Sequence, residues 1–265
     1  MYFSEEHDAL RQTVRKVVDK EINPNMDAWE ETTAPLHDLF KRMGDLGLLG
    51  ICYDPRYGGQ GLDYWFDTVF LEEIGHIHGV GVQGAIADQT HMATPALHEF
   101  GSEHLKEAFL KPAIGGDMVA AIAVTEPGAG SDVAGLRTSA KKDGDAYVIN
   151  GTKTFISNGI NADLVVVAAK DPAEENPYNA ISLYAVESGT PGFARGRHLE
   201  KMGWHSQDTA ELFFNDVKVA RENVLGDPTQ GFVYLMNGLA EERLISGAGA
   251  VASGEGGLEG DLSPF

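Results

Sequence analysis

From Phe3 to Ile22 the apolar positions fall at helical spacing. Leu10, Val14, Val17 and Val18 share one face, acidic Glu5 and Glu6 fill the first turn, and Ser4 stands where a cap belongs. Asn23-Pro24 predicts the end of that helix, because the residue before a proline is pushed out of the helical region. A second helix is predicted from Pro35 to Leu46 on the stripe Leu36, Leu39, Phe40, Met43 and Leu46. After a loop over Asp54-Pro-Arg-Tyr-Gly-Gly-Gln-Gly61, further helices are predicted over 63–76, over 85–100, and from a cap at Ser102 to near Ala113. Beyond Asp117 the pattern shortens into strand-like runs: Val119–Val124, Leu136–Lys141, Tyr147–Ile149, Lys153–Ile156, Leu164–Ala168, Ile181–Val186 and Glu211–Phe214. Lys142-Asp-Gly-Asp145 and Asn150-Gly151 are predicted hairpin turns. Near Asn223 the spacing turns helical again, with Phe232, Leu235, Met236, Leu239 and Leu244 in phase and a weak continuation to Val251. The glycine-rich stretch from Gly254 to Phe265 is expected to be a frayed tail.

The expected fold class is therefore α+β and multi-domain. An N-terminal α-helical domain (1–117) precedes a small middle β-barrel or sandwich domain (118–228), and 229–265 begins a C-terminal helical domain. At 265 residues and 43% hydrophobic content the chain can bury a sizeable core. A net charge of −20 argues against nucleic-acid binding and against anionic membrane surfaces, since like charges repel. No apolar run approaches membrane-spanning length, so no membrane insertion is expected. The single Cys52 excludes an intrachain disulfide and a cysteine metal cluster; it reads as a small core residue in the run Leu48–Cys52 and suits a reducing compartment. With no signal-peptide pattern at the N-terminus, a cytoplasmic location is expected. His76, His78, His91, His98 and His104 lack a zinc spacing, so no metal is expected and they read as exposed or capping residues.

The chemistry concentrates where the first predicted strand stops. Ile122-Ala-Val-Thr-Glu-Pro-Gly-Ala-Gly-Ser131 ends a strand in a loop that exposes backbone N–H groups and small hydroxyls to a flat or anionic ligand, with Gly128 and Gly130 free to adopt unusual backbone. A tight turn between strands reads equally well from composition. The whole phrase, however, resembles the first signature of the acyl-CoA dehydrogenase family, flavoproteins that desaturate acyl-CoA thioesters. That resemblance implies that Ile122, Ala123, Val124, Thr125, Glu126, Pro127, Gly128, Ala129, Gly130 and Ser131 line an FAD, with Ser131 also facing acyl-CoA. The Pro-Arg-Tyr-Gly-Gly loop at 55–59, similar to the family's Pro-x-x-Tyr-Gly-Gly, is a second marker. Val148–Gly159, read as a strand, turn and strand, is a third. In the family it walls the flavin, so Phe155 would pack on the ring, the Ile156 backbone would face it, and the Ser157 hydroxyl would meet flavin N5, the hydride acceptor.

Leu199–Phe214 and Gly231–Leu244 resemble the long-chain branch of the same family. Desaturation needs a carboxylate to take the α-proton while the β-hydride leaves to flavin. In the long-chain and isovaleryl branches the base lies in the Glu-Arg-Leu of this helix, which implies Glu242; in most other branches it lies in a later helix. Read without the family, Glu241 and Glu242 are ordinary surface residues. The resemblance further implies that Ser131, Val233, Ala240, Glu241, Glu242 and Arg243 border the acyl-CoA, with Tyr178 and Asn179 as further candidates. Val233 stands where a close relative has tyrosine. An anionic CoA needs local positive charge, for which Arg137, Lys141, Lys142, Lys153, Arg195, Arg197, Lys201 and Arg243 are available.

The implied partners are an acyl-CoA substrate, an electron-transfer flavoprotein and, in full-length relatives, further copies in a dimer or tetramer. The implied role is in fatty acid β-oxidation, with a trans-2-enoyl-CoA as product. Family members continue into a C-terminal helical bundle with an Arg-x-x-Phe-Gly motif and a Gly-Gly-rich motif that help hold FAD; the sequence contains neither, and Gly260–Phe265 does not resemble the family. A truncated chain is therefore expected, with the apolar face of the Gly231–Leu244 helix uncovered. Two other readings stand beside the dehydrogenase: a non-catalytic, partner-binding fragment, and a flavin monooxygenase on the same fold. Thr125-Glu-Pro and Gln207-Asp-Thr match the dehydrogenases rather than the latter.

Overall fold

The computed structural model describes residues 3–262. Helix α1 (Glu5–Val17) buries Val14 and Val17, and the Ser4 N–H donates to the His7 ring. It loosens into a π-helical turn over Val18–Ile22. Asn23-Pro24 interrupts the helix for a single 3-10 turn (Asn23–Asn25), and an unforeseen helix α2 (Met26–Thr32) follows. Only Met26 of α2 is buried, too little periodicity to be read from sequence. Helix α3 (Leu36–Asp45) buries Leu36, Leu39, Phe40 and Met43, four of its five predicted stripe positions. Helices α4 (Tyr64–Ile74) and α5 (Val80–Ala87) come next, then a π-helical turn (Asp88–Ala93) leading into α6 (Thr94–Phe100). Ser102 caps the short α7 (Glu103–Leu105) by accepting from the Leu105 N–H at 3.3 Å; α8 (Lys111–Ile114) completes the helical part.

The middle part is one curled seven-stranded sheet. Its strands are β1 (Ala120–Ala123), β2 (Ser139–Asp143), β3 (Ala146–Ser157), β4 (Leu164–Lys170), β5 (Ile181–Glu187), β6 (Phe193–His198) and β7 (Thr209–Ala220). They run in the order β1-β4-β2-β3-β7-β6, with β5 also on β4. The β2–β3 hairpin turns at Gly144 (φ +61°), within the predicted turn. Asn150-Gly151 corrects the reading: it is no hairpin turn. Both predicted flanking strands belong to β3 and pair with the same neighbour, β7, with a register shift between Ile149 and Gly151. The extra residue makes a bulge. Glycine is needed there because a Cβ on Gly151 would stand 2.7 Å from Thr138 Cα. Strand β6 went unforeseen because it is an edge strand of Arg195, Gly196 and Arg197 with no buried face.

Helix α9 (Gly231–Leu262) leaves the sheet and returns to the helical part. The expectation of a frayed tail from Gly254 is wrong as far as Leu262; Ser263, Pro264 and Phe265 lie outside the described residues. Glycines at 247, 249, 254, 256 and 257 each weaken a helix by about 1 kcal/mol relative to alanine. Tertiary contacts override them: Ile245 and Ala252 are buried, and Ser253 Oγ donates to Gln83 Oε1 at 2.9 Å. Gly75, at the end of α4, lets α9 approach so closely that an added Cβ would lie 2.3 Å from Ala252 Cβ. Gly75→Val is expected to destabilise the chain by about 1–3 kcal/mol through overpacking, seen as a lower thermal unfolding midpoint. An unchanged midpoint would mean that α9 does not dock there. No helix among the described residues is long and apolar enough to cross a membrane.

Candidate active site

Strand β1 stops where its chain must serve a buried ion pair. The Glu126 carboxylate accepts from the Arg137 N–H (2.7 Å), the Thr138 N–H (2.9 Å) and Lys153 Nζ (2.9 Å). Lys153 Nζ also donates to the Val124 carbonyl at 2.9 Å and is wholly buried. Burial pulls the Lys153 ammonium down to about 8 despite its carboxylate partner. Burial pushes the Glu126 carboxyl up, but the donors around it win and hold it below the usual range. Glu126 and Ala129 exchange backbone bonds of 2.8 and 3.1 Å, closing the loop, and the Thr154 N–H donates to the Thr125 carbonyl at 2.9 Å. Lys153 and Thr154 of β3 thus tie the 124–131 loop to the second predicted site segment. Thr125 is half-buried; Pro127, Gly128, Gly130 and Ser131 are exposed. Gly128 and Gly130 do not adopt left-handed backbone, and nothing lies within 4 Å of a Cβ added to either. The fold therefore does not demand glycine there, and the space beside both is open.

The 155–157 segment is held in an unusual shape. Phe155 (φ +59°) and Asn158 (φ +57°) are both left-handed, a conformation that costs non-glycine residues of order 1–3 kcal/mol. Asn158 anchors it: its N–H donates to the Asp208 carbonyl (3.1 Å) and its Nδ2 to the Ala85 carbonyl (3.0 Å). Asp208 in turn accepts from the Ile160 N–H (2.6 Å) and Asn161 Nδ2 (2.8 Å), so the Gln207-Asp-Thr motif acts as scaffold. Ile156 is buried, Ser157 is half-buried, and the Phe155 side chain projects outward with the residue 68% exposed.

Helix α9 supplies the carboxylates. Glu242 is half-buried and lines a cavity of about 90 Å³ together with Ile122 of β1, Met92, Glu99, Leu183 and Glu241. Burial raises the Glu242 carboxyl above its ordinary value; neighbouring Arg243 works against this and Glu241 adds to it. Burial also raises Glu241, although that residue is more exposed. Ala240, Arg243 and Val233 are exposed on α9. Tyr178 is 55% exposed and stands edge-on to Phe232 (5.0 Å between ring centres), while Asn179 is exposed in the same loop. Ser157 lines a second cavity of about 440 Å³ with Ile245 and Ser246 of α9; Met92 borders both cavities.

Two family domains match this chain: acyl-CoA dehydrogenase N-terminal domain over residues 4–117 and acyl-CoA dehydrogenase middle domain over residues 121–217. The chain belongs to the acyl-CoA dehydrogenase family. It is similar to the mitochondrial long-chain specific acyl-CoA dehydrogenase of Sus scrofa, 41% identical over 254 residues, covering 96% of this chain and 59% of the relative. Among solved structures it is similar to an acyl-CoA dehydrogenase from Geobacillus kaustophilus (TM-score 0.92, 44% identity, 96% of this chain and 67% of that one). It is also similar to a glutaryl-CoA dehydrogenase from Mycobacterium smegmatis in complex with FADH2 (TM-score 0.89, 28% identity, 97% of this chain and 64% of that one). The chain thus spans about 59% of the length of the curated relatives it matches first. The family is one of FAD-dependent oxidoreductases, and its members include fatty acid β-oxidation enzymes.

The residues present fit a flat flavin. Open space beside Gly128 and Gly130, an outward aromatic ring at Phe155 and a half-buried hydroxyl at Ser157 share two loops joined at Thr125 and Thr154. Several sequence-based expectations need correction. Lys153 is wholly buried against Glu126 and cannot offer charge to CoA. Arg195 bonds the Gly159 and Ala162 carbonyls and Ser188, and Lys201 bonds the Gln207 carbonyl and Thr209. These bonds tie both side chains to loop structure. Cys52 is exposed rather than a core residue, because its neighbours Leu48, Leu49 and Ile51 take the buried face. His91 is neither exposed nor a cap: its Nε2 meets the buried Asp67 carboxylate at 2.9 Å. No cluster of metal-ligating side chains occurs among the described residues. Sequence reasoning missed the Glu126–Lys153 pair, for which Thr125-Glu-Pro and the alternation along β3 held a signal.

Proposed function

We propose that this chain carries the flavin loops and the catalytic base of an FAD-dependent acyl-CoA dehydrogenase of the long-chain type. One observation carries the proposal. Ile122, at the head of the 122–131 segment, and Glu242 on α9 line the same cavity, so a thioester there lies between the flavin loops and a carboxylate. In this reading Thr125, Glu126 to Ser131, Phe155, the Ile156 backbone and the Ser157 hydroxyl hold the flavin, with Ile122, Ala123 and Val124 beneath it. Glu242 takes the α-proton, and Ser131, Val233, Ala240, Glu241 and Arg243 border the acyl-CoA, with Tyr178 and Asn179 toward its CoA end. FAD, when bound, supplies the two-electron acceptor to which the β-hydride leaves. The α-proton ends on the Glu242 carboxylate and the Cα–Cβ bond becomes a double bond, giving a trans-2-enoyl-CoA. An electron-transfer flavoprotein takes the electrons onward, and association as a dimer or tetramer belongs to the full-length form of the family. The units of this assembly are 1–117, 118–228 and 229 onward.

A raised Glu242 carboxyl has a direct kinetic consequence. The base must be ionised, so kcat/KM is expected to rise with pH through an apparent pKa above the ordinary value of 4.5. Enoyl-CoA formation measured across pH, with FAD and an electron acceptor supplied, checks this. An acidic limb at or below 4.5 would remove Glu242 from the role, and no enoyl-CoA at any pH would favour the non-catalytic fragment.

A further inference from the structure

Asp88 is 3% exposed, and its carboxyl Oδ2 has no hydrogen-bond partner among the described residues. Buried carboxyl groups are almost always paired, because an unpaired one forfeits its hydration for nothing. It is the first residue of the π-helical turn, and such turns recur at functional sites. Its orientation is fixed from both sides. On the next residue, Gln89 Nε2 donates to the Ala113 and Met118 carbonyls while its Oε1 accepts from the Ala120 N–H. One turn earlier, Asn158 holds the Ala85 carbonyl. Asp88 lines the cavity of about 440 Å³ whose walls include Leu71, Ile74, Ala87 and Ile245, with Ser157 on its border. The space is apolar apart from Asp88 and a few amides and hydroxyls. Burial, with Asp208 and Glu242 adding to it, drives the Asp88 carboxyl well above its usual range.

We infer that the acyl chain runs past Met92, which borders both cavities, into the larger one, and that Asp88 there is a specificity-determining residue whose carboxyl binds a hydroxyl carried on the acyl chain, so that hydroxylated acyl groups are preferred over plain ones of equal length. A neutral acid both donates and accepts, as does a hydroxyl, whereas a cation would have to be stripped of water among apolar walls. The inference rests on the acyl-CoA dehydrogenase reading of the site.

The test is anaerobic flavin reduction in the FAD-loaded chain by a plain long-chain acyl-CoA and by same-length acyl-CoAs with one hydroxyl at successive carbons beyond Cβ. At one position the hydroxylated thioester is expected to have a kcat/KM at least about tenfold higher than the plain one. Asp88→Leu should invert that preference and raise the thermal midpoint by roughly 2 °C or more, because an unpaired buried carboxyl is removed. Asp88→Asn, close in shape and still able to donate and accept, should keep the preference. No hydroxyl preference at any position, or a preference that survives Asp88→Leu, overturns the assignment while leaving the dehydrogenase reading intact. A flavin that no thioester reduces overturns both.

Discussion

Glu242→Gln is expected to lower kcat/KM for a long-chain acyl-CoA by about 10³-fold or more while leaving FAD affinity unchanged. The glutamine keeps shape and hydrogen bonding but cannot accept the proton. Other acid-base side chains line the same cavity, Glu241 and Glu99 among them, together with His91 and Tyr234. Glu241 is the sharper rival, since burial raises it as well. Glu241→Gln should therefore cost far less than Glu242→Gln, and the ratio of the two measures which carboxylate does the chemistry. Gly238 makes the geometry demanding: a Cβ there would come within 3.2 Å of Glu242 Oε1. Equal turnover of Glu242→Gln and the unmodified chain would remove α9 as the source of the base.

Lys153→Met should be the most damaging single change to stability. It leaves the Glu126 carboxylate buried with only two backbone N–H donors, and breaking a buried pair by removing one partner typically costs about 3–5 kcal/mol. For a chain of this size that corresponds to a thermal midpoint lower by roughly 10 °C. The loss should also reach the cofactor, because Lys153 holds the Val124 carbonyl and so sets where Thr125 begins. Replacing both partners by apolar residues should recover part of the stability but not the flavin affinity. That split separates a scaffold role from a purely electrostatic one. A double replacement that binds FAD normally would show that the pair does not position the loop.

Much of this arrangement was legible because helices carry regular stripes: α1 and α3 fall where the apolar spacing puts them, and Lys142–Asp145 turns the hairpin as its residues dictate. The failures share a cause. Asn150-Gly151 has turn chemistry, yet β7 pairs with both sides of it, and no local signal reports a partner sixty residues away. The α9 glycines read as a frayed end because propensity is local, whereas the contacts of Ala252 and Ser253 with the helical part are not. At the site, the family motifs located Thr125, Ser157 and Glu242 by position in the chain. They said nothing of Lys153 turning inward, since a lysine on an alternating strand ordinarily faces water. Asp88 was invisible for a related reason: among apolar helix residues it looks like any solvated carboxylate until the cavity around it is seen.

The most direct measurement is the visible absorbance of the FAD-loaded chain before and after anaerobic addition of a long-chain acyl-CoA. The account predicts a flavin spectrum that bleaches, because Ile122, where β1 leads into the first flavin loop, and Glu242 line one cavity within this chain. A chain that stays colourless with excess FAD, or a flavin band that the thioester leaves untouched, would contradict it.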